Sequence, residues 1–153
     1  MRRSLLLFGA AAVVVACAQS DTGGASESAT AAGTLAPMIQ YTDVAGMWTV
    51  TVMPEFGDSV LTTYHLNATA DSTGWTITFP GRDPIPVHVM PPTADSIVTH
   101  AGPYESALRA GVQVTTTSVI RIRDGKLIGT ATARYATTAA DSVVTFRAEG
   151  IRM

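Results

Sequence analysis

The stretch VQVTTTSVIRIRDGKLIGTATARYA (Val112–Ala136) decides what kind of protein this is. Two alternating runs flank Asp124-Gly125, a pair suited to a two-residue type I′ turn, in which both central residues take positive φ. A turn there fixes the register. Ile122 falls opposite Leu127, Ile120 opposite Gly129, Ser118 opposite Ala131 and Val114 opposite Tyr135. The other face receives Arg123 with Lys126, Thr117 with Thr132 and Thr115 with Arg134. One face is apolar or small and the other polar, the pattern of a half-buried antiparallel hairpin.

The same grammar extends outward in both directions. Thr, Val and Ile dominate from Met38 onward, and Gly, Pro or Asp-Ser interrupts the chain about every ten residues, the spacing of short strands. Eight strands are predicted, over 46–53, 59–69, 74–79, 85–90, 95–100, 112–123, 126–136 and 142–152, and no helix. The fold class is therefore all-β, a small antiparallel up-and-down barrel of about eight strands, which leaves no free edge. A β-sandwich is the alternative. Pro86 is the difficulty for a barrel, because it cannot donate to a ladder, and Pro91-Pro92 follow soon after.

An Asp-Ser phrase recurs at Gly57–Leu61, Ala70–Gly74, Ala94–Val98 and Ala140–Val144. In a meander, successive connections alternate between the two ends. Asp58 and Asp141 then lie at one end, and Asp71 and Asp95 at the other, so the four cannot share one metal ion. Asp and Ser side chains bond to nearby backbone and stabilise turns. The repeated phrase reads as punctuation.

The beginning of the chain has another character. Met1-Arg2-Arg3 precedes the apolar run Leu5–Ala16, which is short of the roughly 20 residues that span a bilayer, and then comes Cys17, the only cysteine. Val14-Val15-Ala16-Cys17 resembles the lipobox of bacterial lipoproteins. That resemblance implies a signal peptide over 1–16, diacylglycerol and a further acyl chain such as palmitate on Cys17, and a lipid bilayer as partner. Two or more acyl chains anchor stably where one is marginal. Residue 18 is Ala rather than the Asp that often marks inner-membrane retention. The resemblance thus implies a cell-envelope location, at the outer membrane if the cell has two. With Cys17 modified, no thiol remains for a disulfide or a thiolate site. Residues 17–37 continue as a Ser/Gly/Ala/Thr-rich linker, and the barrel domain takes 38–153.

Gly46-Met47-Trp48 opens the first strand and resembles the Gly-x-Trp signature of lipocalin-like barrels. In that family the indole closes one end, and a basic residue late on the last strand packs across it. Here Gly46, Trp48 and Arg152 take those places, since antiparallel first and last strands put Arg152 beside Trp48. The resemblance also implies that the connections after strands one, three, five and seven form the mouth. The longest of these, Ala101–Gly111, carries Tyr104, Glu105 and Arg109, with Arg82 on a nearby loop. These four are the candidate ligand-binding residues, against the plainer reading of a surface loop with a Glu105–Arg109 pair one helical turn apart.

Other chemistry is thinly represented. His65, His88 and His100 sit on separate strands, with His88 expected to face about residue 97, and no metal-ligand spacing appears. Trp48, Trp75, Ile77 and Phe79 suit a core or a pocket wall. No Gly-x-Ser-x-Gly, HExxH or phosphate loop is present, and no cofactor is implied. The formal charge of −2 becomes −4 without Arg2 and Arg3, and no basic run exists, which disfavours nucleic acid. The sequence thus points to a membrane-anchored barrel binding a small apolar or amphipathic ligand. The alternative is a filled barrel acting as an interaction or scaffolding module for an envelope protein partner. An enzyme comes third, using Tyr104, Glu105 and Arg109. A cavity of about 300 Å³ or more would favour the ligand, and a filled core the scaffold.

Overall fold

A computed structural model of the protein describes residues 38–153. The signal peptide, Cys17 and the linker expected over 17–37 lie outside the described residues. Eight strands run β1 Gly46–Pro54, β2 Thr62–Ala68, β3 Thr76–Thr78, β4 Ile85–Val89, β5 Ile97–Glu105, β6 Gln113–Arg123, β7 Lys126–Tyr135 and β8 Val143–Arg152. Each pairs antiparallel with the next, and β8 pairs back to β1, closing an up-and-down barrel. The sandwich alternative is thereby excluded.

The β6–β7 hairpin has the register set by its turn: Ile122 faces Leu127, Ser118 faces Ala131 and Val114 faces Tyr135. Asp124 (φ 51°) and Gly125 (φ 72°) both occupy the left-handed region that a type I′ turn requires. Three other expectations need correction. The chain opens with one helical turn, α1 Tyr41–Val44, where the residue pattern predicts none. Its start is held by a bond from the Gln40 amide to the Asp43 carboxylate, 2.8 Å.

The second correction concerns β5, which runs five residues beyond the expected strand end at His100, so the Ala101–Gly111 loop shrinks to the segment after Glu105. Thirdly, His88 pairs directly with His100. The turn before β5 is centred on Ala94-Asp95 by a Thr93–Ser96 bridge, and the partner of His88 lies three residues beyond the expected position 97. Among the described residues no group of three or more His, Cys, Asp or Glu side chains could hold a metal ion.

The wall narrows at Pro86 without parting. β3 has only three residues and meets β4 through Thr76–Pro86 and Ile77–Ile85 alone, assisted by a bond from the Val87 amide to the Trp75 carbonyl. Alternation along each strand sends one set of side chains inward. These divide the interior into two halves of unlike filling.

At one end, shared by α1 and the connections after β2, β4 and β6, large side chains meet. Trp48, Val50, Val44, Trp75, Ile97 and Leu127 are all essentially inaccessible to solvent. Burial of this much aromatic and aliphatic surface is the main stabilising term of the domain. Both indoles keep a polar partner: Trp48 Nε1–H donates to the Val44 carbonyl (2.8 Å) and Trp75 Nε1–H to the Asp71 carbonyl (2.7 Å). Close packing there depends on absent side chains. A Cβ on Gly129 would sit 2.5 Å from the Val119 carbonyl oxygen, and one on Gly150 would press on Leu127 and Val50.

Arg152 finishes this end. Its guanidinium lies over the Trp48 ring, 4.3 Å from the centroid, and donates to the carbonyls of Ala45 and, at 3.0 Å, Asp43. Gly46 makes room for it. Its φ of +131° is one that L side chains rarely adopt, and a Cβ there would stand 2.6 Å from Arg152 Nη1.

Candidate functional site

In the other half of the barrel the inward positions are small. Ala101, Thr116 and Ser118 on β5 and β6 lie beside Ala131 and Ala133 on β7, and together they leave the barrel under-filled. The result is a cavity of about 80 Å³ that reaches from Leu66, Ile77, Val87 and Ile120 at mid-barrel to Ala107 and Leu108 at the rim. A single water needs about 10–15 Å³. The cavity therefore holds several atoms, although it is smaller than the ~300–1,000 Å³ typical of sites for drug-sized ligands. The connections after β1, β3, β5 and β7 surround its mouth.

Three rings line one side in sequence. Tyr64 lies 5.5 Å from Phe79, and Phe79 lies 5.9 Å from Tyr104, centroid to centroid. Tyr104 shares a hydrogen bond with Thr116 Oγ1 at 3.4 Å. Burial is the main cause raising the pKa of both phenols, and Tyr104 adds to the effect on Tyr64. Each is a neutral O–H at any physiological pH. The accessible part of Tyr64 faces the lumen, since its inward neighbours are Val50 across the β1–β2 pair and the cavity itself.

Tyr104 reaches the lumen through a local irregularity. On β5, Ile97, Thr99 and Ala101 point inward, and simple alternation would next bring Pro103 and Glu105 in. A register shift between Ala101 and Tyr104 intervenes. One extra residue on a bulged strand reverses the facing of the residues after it. Tyr104 and Ser106 therefore turn inward, and the Glu105 carboxylate turns out. Among the described residues, none of those lining the cavity is charged.

The other three candidate residues sit around the rim. Arg82 donates to the carbonyls of Glu105 (2.5 Å) and Ser106 (3.2 Å), and its guanidinium is 4.0 Å from the Glu105 carboxylate. Glu105 also accepts from the Gly111 amide at 3.2 Å. Arg109 lies 4.0 Å over the Tyr135 ring and pairs with Asp141 at 2.5 Å, which holds that carboxyl below its usual range. The expected Glu105–Arg109 pair is thus replaced by Arg82–Glu105 and Arg109–Asp141. Ser106 Oγ shapes the loop by accepting from the Leu108 and Arg109 amides, both at 3.0 Å. Only Tyr104 of the four candidates lines the cavity.

The polar lining was missed at the sequence level. Thr62, Tyr64, Thr99, Ser106, Thr116 and Ser118 all belong to it. A signal existed for two of them, because the hairpin register already placed Thr116 and Ser118 on the face shared with Ile120 and Ile122. No family model, curated protein or solved structure matches this chain.

Proposed function

We propose that this protein is a lipid-anchored envelope lipoprotein whose lipocalin-like barrel binds a small, slender apolar or amphipathic molecule. The observation that carries the reading is the unequal filling of one barrel: a packed end, and a half left open by small inward residues. A protein selected only for a stable scaffold gains by filling such space, since an unfilled interior forfeits dispersion contacts. At about 80 Å³ the enclosed space falls short of the ~300 Å³ that would favour a fully enclosed ligand, so it suits the end of a slender chain whose remainder lies in the open mouth.

The lipoprotein part rests on Val14–Cys17 and on the acylation which that motif implies. The described chain enters at the closed end, where the Ile39 amide donates to the Ala94 carbonyl at 2.9 Å.

The test is titration of the chain with a neutral polarity-sensitive dye and a panel of single-chain lipids, read by dye emission and Tm. A ligand that binds only the folded state raises stability by about 2.7 kcal/mol at 100 times its Kd. If no compound shifts either readout, the binding reading is wrong. A second reading, an interaction module for an envelope protein partner, draws support from the apolar side chains exposed around the mouth: Phe56 (87% exposed), Val60, Leu61 and Val143. Crosslinking in cells through Phe56 that recovers no specific partner would remove it.

A further inference from the structure

From the character of the lining we infer that the barrel selects an uncharged ligand, a hydrocarbon chain carrying one hydroxyl or carbonyl oxygen, and rejects the corresponding carboxylate. This rests on the binding reading above and narrows it to a chemical class.

Three independent observations lead there. First, among the described residues the cavity wall contains no charged side chain, so an ion entering it would lose its hydration without gaining a counter-ion. Burying an unpaired charge is far more costly than burying a hydrogen-bonded polar group. Second, the wall is not uniformly apolar. Tyr64, Tyr104, Thr99, Thr116 and Ser118 place hydroxyls among the aliphatic groups, and these can donate to or accept from a neutral oxygen. Tyr104 and Thr116 satisfy one another, whereas the Tyr64 hydroxyl makes no bond to a protein group among the described residues, which leaves it free to engage a ligand.

Third, the two cations of the candidate set, Arg82 and Arg109, are already engaged, and Arg134 at the end of β7 lies on the outer face of its strand, between the inward Ala133 and Tyr135. Arg82 is held by two carbonyls and Glu105, and Arg109 by Asp141 and the Tyr135 ring. A carboxylate arriving at the rim would have to displace one of these partners. The bulge in β5 keeps the lumen itself free of charge, for it turns outward the one carboxylate that strand alternation would have delivered there, so the rejection of an anion rests on lost hydration and not on repulsion.

Displacement of a neutral dye by four ten-carbon compounds, decane, decan-1-ol, decan-2-one and decanoate, tests this on the purified chain. At pH 8 the alcohol and the ketone are expected to bind on the order of tenfold or more tighter than decanoate. Decanoate binding should strengthen as the pH falls toward its own ionisation, about 4–5, because the neutral acid is the form admitted. Tyr64→Phe should reduce the advantage of the alcohol over decane, read as the ratio of the two affinities. Thr116→Val provides a second, independent variant should the first disturb packing.

Decanoate binding at pH 8 as tight as the alcohol overturns the inference, and its loss in Arg109→Gln would then place the headgroup at the rim. Equal binding of decane and decan-1-ol, unaffected by either variant, also overturns it, since the hydroxyls would then play no part. Binding of the dye with no difference among the four compounds defeats the selectivity alone. Failure of the dye and all four compounds to bind defeats the parent reading as well.

Discussion

The two halves of this barrel use the same eight strands and the same alternation, yet they have opposite interiors. Around Trp48 the inward residues are large and the glycines at 129 and 150 mark places where backbone and side chains already touch. Around Tyr104 the inward residues are small and hydroxylated, and space remains. One sheet can thus be a packed core at one end and the wall of an open cavity at the other. Along β6, β7 and β8 the division follows from side-chain volume, since those ladders are continuous through both halves, and on β5 the bulge adds to it.

The sharpest way to break the comparison is to empty the filled half. Trp48→Ala should cost about 3–5 kcal/mol, the range for deleting a buried aromatic side chain, read as a loss of urea midpoint and Tm. A near-wild-type melting curve would show that the packed end does not support the fold.

Next comes a matched pair on β7, where Gly129 and Ala131 point inward two residues apart. Gly129→Ala should destabilise by about 1–3 kcal/mol, because its Cβ meets backbone at 2.5 Å. Ala131→Leu adds more atoms but has the cavity to receive them, so its cost should be smaller while dye binding is lost. If the two variants destabilise equally, the halves do not differ in filling.

Arg152→Gln removes the cover over Trp48 and should cost about 0.5–1 kcal/mol, the worth of a solvent-exposed cation–π contact. Thermal melts would show it, and ligand affinity at the far end should not change.

The smallest expected effect is on acid stability. Asp71, Asp95 and Asp141 are held below the ordinary carboxyl value of 3.8, chiefly by bonds from Thr73, Arg121 and Arg109 respectively. A folded value lower than the unfolded one gives stability that is complete above the unfolded value. That contribution is lost as the pH falls through the folded value. All three groups are exposed, so each contributes little. Asp141→Asn should flatten the decline of Tm below pH 4 (~3.8 being the unshifted value) by a small but reproducible amount, and an unchanged slope would assign the acid sensitivity elsewhere.

Much of this architecture was legible in the residues themselves. The Asp124-Gly125 turn dictates the pairing of β6 with β7 because two positive φ angles and strict alternation admit one register. The two Asp-Ser phrases at each end do lie apart, and three of their aspartates also pair with arginines of the barrel wall and rim: Asp58 with Arg147, Asp95 with Arg121 and Asp141 with Arg109. Asp71 alone acts purely within its turn, accepting from the Thr73 amide and hydroxyl at 2.7 Å.

What could not be read depends on geometry beyond the local chain. The His88–His100 pairing hangs on which residues centre the connection between β4 and β5, and Ala94, which takes positive φ there, is a residue type that carries no turn signal of its own. The bulge at Ala101–Tyr104 is a property of two strands together. It alone decides that Tyr104 enters the lumen and Glu105 does not. The cavity is a sum of volumes across eight strands, and no window of sequence reports it.

The narrow junction of β3 with β4 has a further meaning. Hydrogen bonds are the hoops of a closed barrel, and here the hoop is thinnest, with one of its residues a proline that donates nothing. Ile77 and Val87, which stand on either side of it, are also cavity residues. Local opening follows the sparsest bonding in a structure. The β3–β4 seam is therefore where amide hydrogen exchange should begin, ahead of the long β6–β7 and β7–β8 ladders.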